Sequence, residues 1–390
     1  ARQADVHVQP MPGTDAALAL GMMHVIVRDG LHDRDYVERY TSGFEDLAAH
    51  VRAYTPEATA RWTGLAPGEI ETLAREYAQA SPSLIRVLIG LEHHPDGGSA
   101  CRAAAMLPAL TGAWRERGGG LMNMTYEFGG EALDWSALAL PEPLTGVETR
   151  TINMIRLGRA LTDAAMDPPV HALVVYNANP AVTMPDQNAV LRGLAREDLL
   201  TVVLEHFVTD TARYADYVFP ATSCLENWDL LTSWGTPYLH LNEPALEPLG
   251  EARTNTEFFR LLARAMGYEQ DYLYQDDLEI LRSMLDSHHP YLEGITFERL
   301  REDGWARFAI PDPWLPHVEG NFKTPSGRCL LANPDLDPPL PVYTPPAYAQ
   351  SYVEAHPLCL LTVKSPARFL NSSHANIDRL REDEGPQRLE

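Results

Sequence analysis

Several polar clusters in this chain have residue types that can bond a ligand, and each borders an apolar run. VVYNANPAV (174–182) brings Asn177, Asn179 and Pro180 directly behind a run of β-branched and aromatic residues. Proline cannot continue a strand ladder and pushes the residue before it off helical angles, while asparagine amides bond a neighbouring backbone or a ligand. LEHF ends the next apolar run on Glu205 and His206; an acidic residue at a strand end can hold ribose hydroxyls. TDTARYAD then supplies Thr209, Thr211 and Asp216. PMPGTDAAL sets Gly13, Thr14 and Asp15 at the head of an apolar helix. A glycine-tight turn there admits a ligand, and the carboxylate accepts hydrogen bonds from a base edge or a ribose. KSPARFLNSSH clusters Ser365, Arg368, Asn371, Ser372, Ser373 and His374 behind a strand expected at 358–363.

Each cluster also has a plainer reading. NANP can be a simple turn, Thr14 or Asp15 an N-cap, and the threonines caps or solvated polar residues. The loop before His374 can be one more turn. No P-loop, GxSxG elbow or HExxH occurs, and no GxGxxG accompanies Glu205, which disfavours an ordinary NAD site. No nucleophile or acid–base pair stands out. Cys101, Cys224, Cys329 and Cys359 form no CxxC pair, so neither a zinc or iron–sulfur ligand set nor a disulfide framework is indicated. Buried or half-buried free thiols are expected instead. The pairs His93-His94 and His288-His289 lack carboxylate or cysteine companions and read as surface or loop histidines.

The elements that must position these clusters follow an α/β pattern. Helices are expected early in the chain, with Pro56 and Pro67 in their first turns. SLIRVLIGL (83–91) reads as a buried strand, EHHPDGG as a loop and SACRAAAMLPALTGAW as a helix, followed by the glycine-dense loop RERGGGLMN. From residue 151 a helix (151–163), strand HALVVY (171–176), a helix from Asp186, strand LLTVVLEH (199–206), the short helix TDTARYA and strand DYVFP give a βαβαβ order. A parallel sheet with helices on both faces is the expected architecture, with ligands beyond the carboxyl ends of its strands. FFRLLARAMG (258–267) is an amphipathic helix closed by glycine, and a further helix falls near 276–286. The domain reading is an α/β region at 1–150, a Rossmann-like region at 151–320, a proline-dense linker at 321–346 and the start of a further domain at 347–390.

With 390 residues the chain exceeds one ordinary core, and its 45% apolar content is that of a globular protein. No apolar run approaches a membrane span, so direct membrane insertion is not expected. The formal charge of -23 argues against nonspecific nucleic-acid binding. The chain opens on ARQADVHV without methionine and stops on GPQRLE, which reads as a fragment.

Taken in order, ADVHVQPMPGTDAALALGMMHVIV with GFEDLAAHVRAYTPE, PALTGAWRERGGG, NANPAVTMPDQNAVLRGL, VVLEHFVTDTARYADYVFPATSCLENWD, FKTPSGRCLL and LCLLTVKSPARFLNSS resemble the large catalytic subunit of the molybdopterin oxidoreductases. That family includes formate dehydrogenases, nitrate reductases and polysulfide or thiosulfate reductases. The resemblance implies a bis-molybdopterin guanine dinucleotide carrying Mo or W. Asn177, Asn179 and Pro180 would then line the phosphate or pterin region, and Glu205, His206, Thr209, Thr211 and Asp216 the guanosine. Gly13, Thr14 and Asp15 would serve the other dinucleotide. The loop of Ser365, Arg368, Asn371, Ser372, Ser373 and His374 would approach the pterins from the truncated start of a β-rich C-terminal domain. GLEHHPDGG stands where family members commonly carry a Gln- or Arg-containing loop, which places Gly90, His93 and His94 beside the site with no assigned role. By the same resemblance the metal-ligating residue, and a [4Fe-4S] cluster where one is present, lie upstream. A small-molecule substrate and iron–sulfur or membrane-anchor electron-transfer subunits are the implied partners. Two alternatives remain: a cofactor-free scaffold of a respiratory complex, and a non-redox hydratase or hydroxytransferase. The compartment is left open.

Overall fold

The computed structural model describes residues 3–123, 127–138, 149–232, 236–345, 378, 379 and 382. Contacts divide the chain into two compact units, Ala1–Thr125 with Ile310–Leu360, and Tyr126–Ala309 with Leu361–Glu390. Along the first run α1 (Asp15–Arg28), α2 (Arg34–Tyr40), β1 (Thr41–Ser42), α3 (Phe44–His50), α4 (Pro56–Thr63), α5 (Pro67–Gln79), β2 (Leu84–Arg86), α6 (Gly97–Thr111) and β3 (Gly120–Met122) follow one another. The second unit adds α7 (Glu127–Ala132), α8 (Leu157–Thr162), β4 (Ala172–Tyr176), α9 (Pro180–Thr183), α10 (Gln187–Leu194), β5 (Leu200–Glu205), β6 (Tyr217–Pro220) and β7 (Asp229–Thr232). It closes with β8 (Tyr238–Asn242), α11 (Asn255–Ala265), α12 (Asp277–Met284), α13 (Phe297–Asp303) and β9 (Trp305–Arg307), after which β10 (Cys329–Leu330) returns to the first unit.

In the first unit α1 is the central helix because it is apolar on almost every side. Ala16, Ala17, Ala19, Leu20, Met22, Met23, Val25 and Ile26 are all buried. A helix without a polar face belongs in a core, and each large side chain buried there contributes roughly 1.5–3 kcal/mol. Helices α4, α5 and α6 pack around it. Gly21 permits the close crossing with α4, since a Cβ at that position would lie 2.6 Å from the Thr59 hydroxyl. Pro56 and Pro67 open α4 and α5 as first-turn residues, as their sequence positions indicate. β2 and β3 form a parallel pair, Leu84 opposite Gly120 and Arg86 opposite Met122.

The second unit holds the parallel sheet, in the order β4-β5-β6. On one face α8 and α10 bury Leu161, Val190 and Leu194 with Leu173 against them. The two helices approach closely because Gly158 and Gly193 face them; a Cβ on Gly193 would stand 2.4 Å from Leu161 Cβ. On the other face α11 makes ring contacts, Phe259 with Tyr176 and Phe258 with Phe219. Helices on both faces of a parallel sheet are thus present. An antiparallel sheet, β7-β8-β9, completes the unit.

Several expectations differ from the structure. The strand expected over 83–91 is regular only at Leu84–Arg86, and Leu84, Leu88 and Ile89 are exposed rather than buried. The helix expected over 151–163 is a 3-10 turn, Met154–Arg156, leading into α8. The TDTARYA helix is a single 3-10 turn at Ala212–Tyr214. Units cut by contact are discontinuous, unlike domains drawn along the chain, and the run read as a linker at 321–346 packs into the first unit. There β10 pairs with β1, Leu331 is fully buried, and Leu340 and Tyr343 join the core. Proline removes helical and ladder signals from a sequence without preventing its apolar residues from packing. The strand expected at 358–363 and the domain from 347 lie outside the described residues, apart from 378, 379 and 382.

Candidate functional site

At the carboxyl ends of β4, β5 and β6 the second unit gathers most of the polar residues singled out from sequence. β4 stops at Tyr176, and Asn177 follows with φ +53°, a left-handed conformation that asparagine tolerates better than most residues. Asn179 is 7% exposed, and its Oδ1 accepts from the Thr211 hydroxyl at 2.7 Å and from Thr211 N–H at 3.3 Å. The Thr211 hydroxyl oxygen in turn accepts from Ala181 N–H at 3.0 Å. This buried knot ties the loop after β4 to the loop after β5. Pro180 opens α9 just beyond it. Thr209, also buried, caps the 3-10 turn by accepting from Ala212 N–H at 3.2 Å.

Glu205 and His206 end β5 with open surface beside them. Glu205 Oε1 accepts from His206 N–H at 2.8 Å, and the His206 ring bonds the Thr222 carbonyl at 2.8 Å through Nε2. Beyond β6, Ala221 bridges in parallel to Arg253, and Thr222 N–H donates to the Arg253 carbonyl at 3.1 Å. That pairing carries the start of α11 to the strand ends. Asn255 there donates from Nδ2 to Asn177 Oδ1 at 3.1 Å, while its own Oδ1 is buried with no partner.

Asp216 is not part of this gathering. It precedes β6, and its carboxylate accepts from Thr201 N–H, near the start of β5, at 2.7 Å. A parallel sheet has its strand starts at the opposite edge from its strand ends, so Asp216 fixes the β5–β6 register from the far side.

The first unit has a smaller edge of the same kind. Gly13 turns at φ +77°, and Thr14 stands at the N-cap position of α1, but its hydroxyl donates back to the Met11 carbonyl at 2.6 Å instead of capping. The half-buried Asp15 carboxyl is held above the ordinary carboxylate range by burial, with Asp96 adding to the rise; its own N–H and His94 oppose it. The PGTD turn and the 92–97 loop therefore share one neighbourhood. Asn123, directly after β3, donates to Glu92 Oε1 at 3.3 Å, and its Oδ1 is buried without a partner. Cys101 lies close enough to Glu92 and Asp15 to feel both, and burial raises its thiol. Gly90 has open space where a Cβ would sit and His93 is exposed, so neither is fixed against these groups.

Sequence reasoning missed Asn123, Asn255 and Glu92. Asn123 was hidden at the end of the run read as a glycine-dense loop, three of whose residues form β3. Asn255 sits in TNTEFF, which looks like an ordinary helix start, and Thr254 does cap it, accepting from Glu257 N–H at 3.1 Å. Ser365, Arg368, Asn371, Ser372, Ser373 and His374 lie outside the described residues. Of the cysteines, Cys101 and Cys329 are partly buried as expected, whereas Cys224 is exposed. Among the described residues no three His, Cys, Asp or Glu side chains gather as a metal site, and no helix is long and apolar enough to cross a membrane. What both edges offer is a buried amide oxygen without a donor beside acidic side chains. Backbone N–H groups at such loops can hold phosphate without basic side chains.

The molybdopterin oxidoreductase family profile matches residues 1–265. The probable oxidoreductase YoaE of Bacillus subtilis (strain 168) is 40% identical over 384 residues, which is 97% of this chain and 55% of that protein. The F420-dependent formate dehydrogenase 1 subunit alpha of Methanococcus maripaludis is 28% identical over 347 residues, 84% of this chain and 50% of that one. The structure of acetylene hydratase from Pelobacter acetylenicus aligns with a TM-score of 0.74 at 26% identity, covering 98% of this chain and 57% of the other. The chain spans about half the length of the curated relatives it matches.

Proposed function

We propose, for a chain that belongs to the molybdopterin oxidoreductase family, that it is the nucleotide-holding part of a molybdopterin guanine dinucleotide-dependent oxidoreductase acting on a small substrate. The observation that carries this reading is the pair of orphaned amide oxygens, Asn123 Oδ1 and Asn255 Oδ1, one at the strand-end edge of each unit. A buried acceptor without a donor costs about 1–3 kcal/mol, and a bound base supplies the missing N–H. The residues present therefore fit a dinucleotide.

In the second unit Asn177, Glu205 and His206 would face the nucleotide, while Asn179, Pro180, Thr209 and Thr211 hold the loops that shape the crevice. Asp216 would act only through the strand register. In the first unit Gly13 and Thr14 form the turn, and Asp15 faces the ligand together with Asn123, with Gly90 and His93 on the loop beside them. The loop from Ser365 to His374 would complete the pterin end. When bound, the cofactor supplies metal-centred redox or oxygen-atom chemistry and a path for electrons to partner iron–sulfur or membrane-anchor subunits. The protein groups named here bind and orient it. A chain this length should turn nothing over by itself.

A second reading keeps the cofactor and runs non-redox hydration; the alignment with an acetylene hydratase structure favours it. Substrate tests with and without an electron acceptor separate the two. The proposal is tested by purifying the complete gene product without oxygen from a host that makes the cofactor, then measuring Mo, W and the GMP released by acid. About one metal and two GMP per chain supports it; neither metal nor GMP overturns it in favour of a scaffold.

A further inference from the structure

The loops that follow β6 and β8 are stitched to each other, yet they turn three leucines outward. Both oxygens of Glu226 are taken: Oε2 accepts from Ser223 N–H and from the Ser223 hydroxyl at 2.7 Å each, and Oε1 accepts from Leu249 N–H at 2.7 Å. The Ser223 hydroxyl above all, with these N–H groups, holds the Glu226 carboxyl below its ordinary range. The Leu225 carbonyl accepts from Ala245 N–H at 2.9 Å and from Leu246 N–H at 3.0 Å. Asn242, at the end of β8, donates from Nδ2 to the Cys224 and Asn227 carbonyls at 2.7 Å each.

Held in this way, Leu225 is 52% exposed, Leu246 58% and Leu249 84%. Single exposed leucines are ordinary on a protein surface, but three on one cross-linked pair of loops form a patch. The stitching also removes in advance the loop freedom that docking would otherwise have to take away. The bases beside the patch are already engaged, Arg253 with Glu257 and Arg301 with Glu243 at 3.3 Å each. Glu247 and Glu251 stand exposed beside the leucines. A second copy meeting this patch face to face would set those carboxylates against their own counterparts.

We propose that the patch is an internal docking surface: the part of the full-length protein outside these 390 residues packs on Leu225, Leu246 and Leu249. That part presents an apolar surface with basic side chains at its rim, opposite Glu247 and Glu251. The chain aligns over 97% of its own length with 55% of YoaE at 40% identity, so nearly half of that relative lies outside the part matched here. A tethered surface meets the patch at a far higher effective concentration than a separate protein does. The inference rests on the family and this span, not on the nucleotide reading.

Cys224 is a built-in reporter, because it precedes Leu225 and is exposed, whereas Cys101 and Cys329 are partly buried. The test is the rate of maleimide labelling at Cys224, read on its peptide by mass spectrometry. It compares the 390-residue chain with the complete gene product, the latter made in hosts with and without the cofactor, all checked for folding by circular dichroism. Cys224 should react readily in the chain and roughly tenfold more slowly in the complete product, as a thiol does when it must wait for local opening. The slowing should not depend on the cofactor. Leu249→Asp should restore fast labelling in the complete product and leave the chain unchanged, since that side chain is already in water there. If the chain does not fold, the wild type and Leu249→Asp forms of the complete product decide. If the complete Leu249→Asp product does not fold, Leu249→Ala replaces it, with a smaller rise in rate expected. Equal labelling in chain and complete product overturns the proposal and leaves the patch to a separate protein. Protection seen only with the cofactor, protection of the chain that grows with its concentration, or protection untouched by either Leu249 variant overturns it as well.

Discussion

The two strand-end edges are built alike and charged differently. In the second unit the edge is lined by amides, one carboxylate and the His206 ring, and three buried polar residues there are tied down: Asn179 to Thr211, Thr211 to Ala181, Thr209 to Ala212. In the first unit the edge is acidic. Asp15, Glu92 and Asp96 crowd it with His94 opposing, and burial raises the Asp15 carboxyl. Yet each edge leaves one asparagine oxygen unanswered. The difference teaches that a polar residue beside a strand end is informative only when its atoms are counted. Asn179 and Thr211 look like ligand residues in sequence and are a closed knot; Asn123 and Asn255 look ordinary and are open. It also separates roles, since an acidic edge suits ribose hydroxyls and base N–H groups, and leaves phosphate to backbone N–H donors.

The comparison breaks most visibly where the closed group is removed. Asn179→Ala should destabilise the second unit by about 3 kcal/mol, because Thr211 N–H and hydroxyl lose their buried acceptor; denaturant unfolding of the chain measures it, and a change within experimental error would reopen the knot as a ligand site. Gly193→Ala should cost about 2 kcal/mol by the same measurement, since its Cβ would drive into Leu161. It tests whether the sheet's support helices, and not the ligand edge, set stability. Asn123→Ala should change stability by less than about 1 kcal/mol, because relief of the unsatisfied oxygen offsets loss of the hydrogen bond to Glu92, while halving the GMP bound per chain. The smallest effect is on pH dependence. The Asp15 carboxyl is raised above its ordinary 3.8, so the folded chain binds its proton more tightly than the unfolded chain does. Its contribution is present below 3.8 and is lost as pH rises through the raised value. Asp15→Asn should remove that decline, and an unchanged stability–pH curve just above 3.8 would remove Asp15 from the buried edge.

The alternating order of strands and helices was legible around β4, β5 and β6 because each strand is an apolar run bounded by Asn, Pro or Asp, even where, as in β6, its side chains stay exposed. The proline starts of α4 and α5 were legible for the same local reason. What sequence could not show was whether a polar side chain at a loop is answered by the fold. Thr211 reaches Asn179 across 32 positions, and Asn255 reaches Asn177 across 78; no local pattern encodes either. The run at 321–346 misled because proline erased its periodicity, although Leu331 and Tyr343 carry enough apolar surface to pack. Asp216 is separated from Thr209 and Thr211 because the crossover after β5 carries the chain back to the starting edge of the parallel sheet, where Thr201 N–H donates to its carboxylate.

The most direct measurement is the side-chain amide NMR spectrum of the 390-residue chain, with asparagine labelled by nitrogen-15, as GMP is added. The amides of Asn123, Asn177 and Asn255 should shift with saturation, and that of Asn179 should stay put inside its knot. Saturable shifts at Asn179 with none at Asn123 or Asn255, or no shift at any of them, would contradict the division of the two edges into closed and open groups.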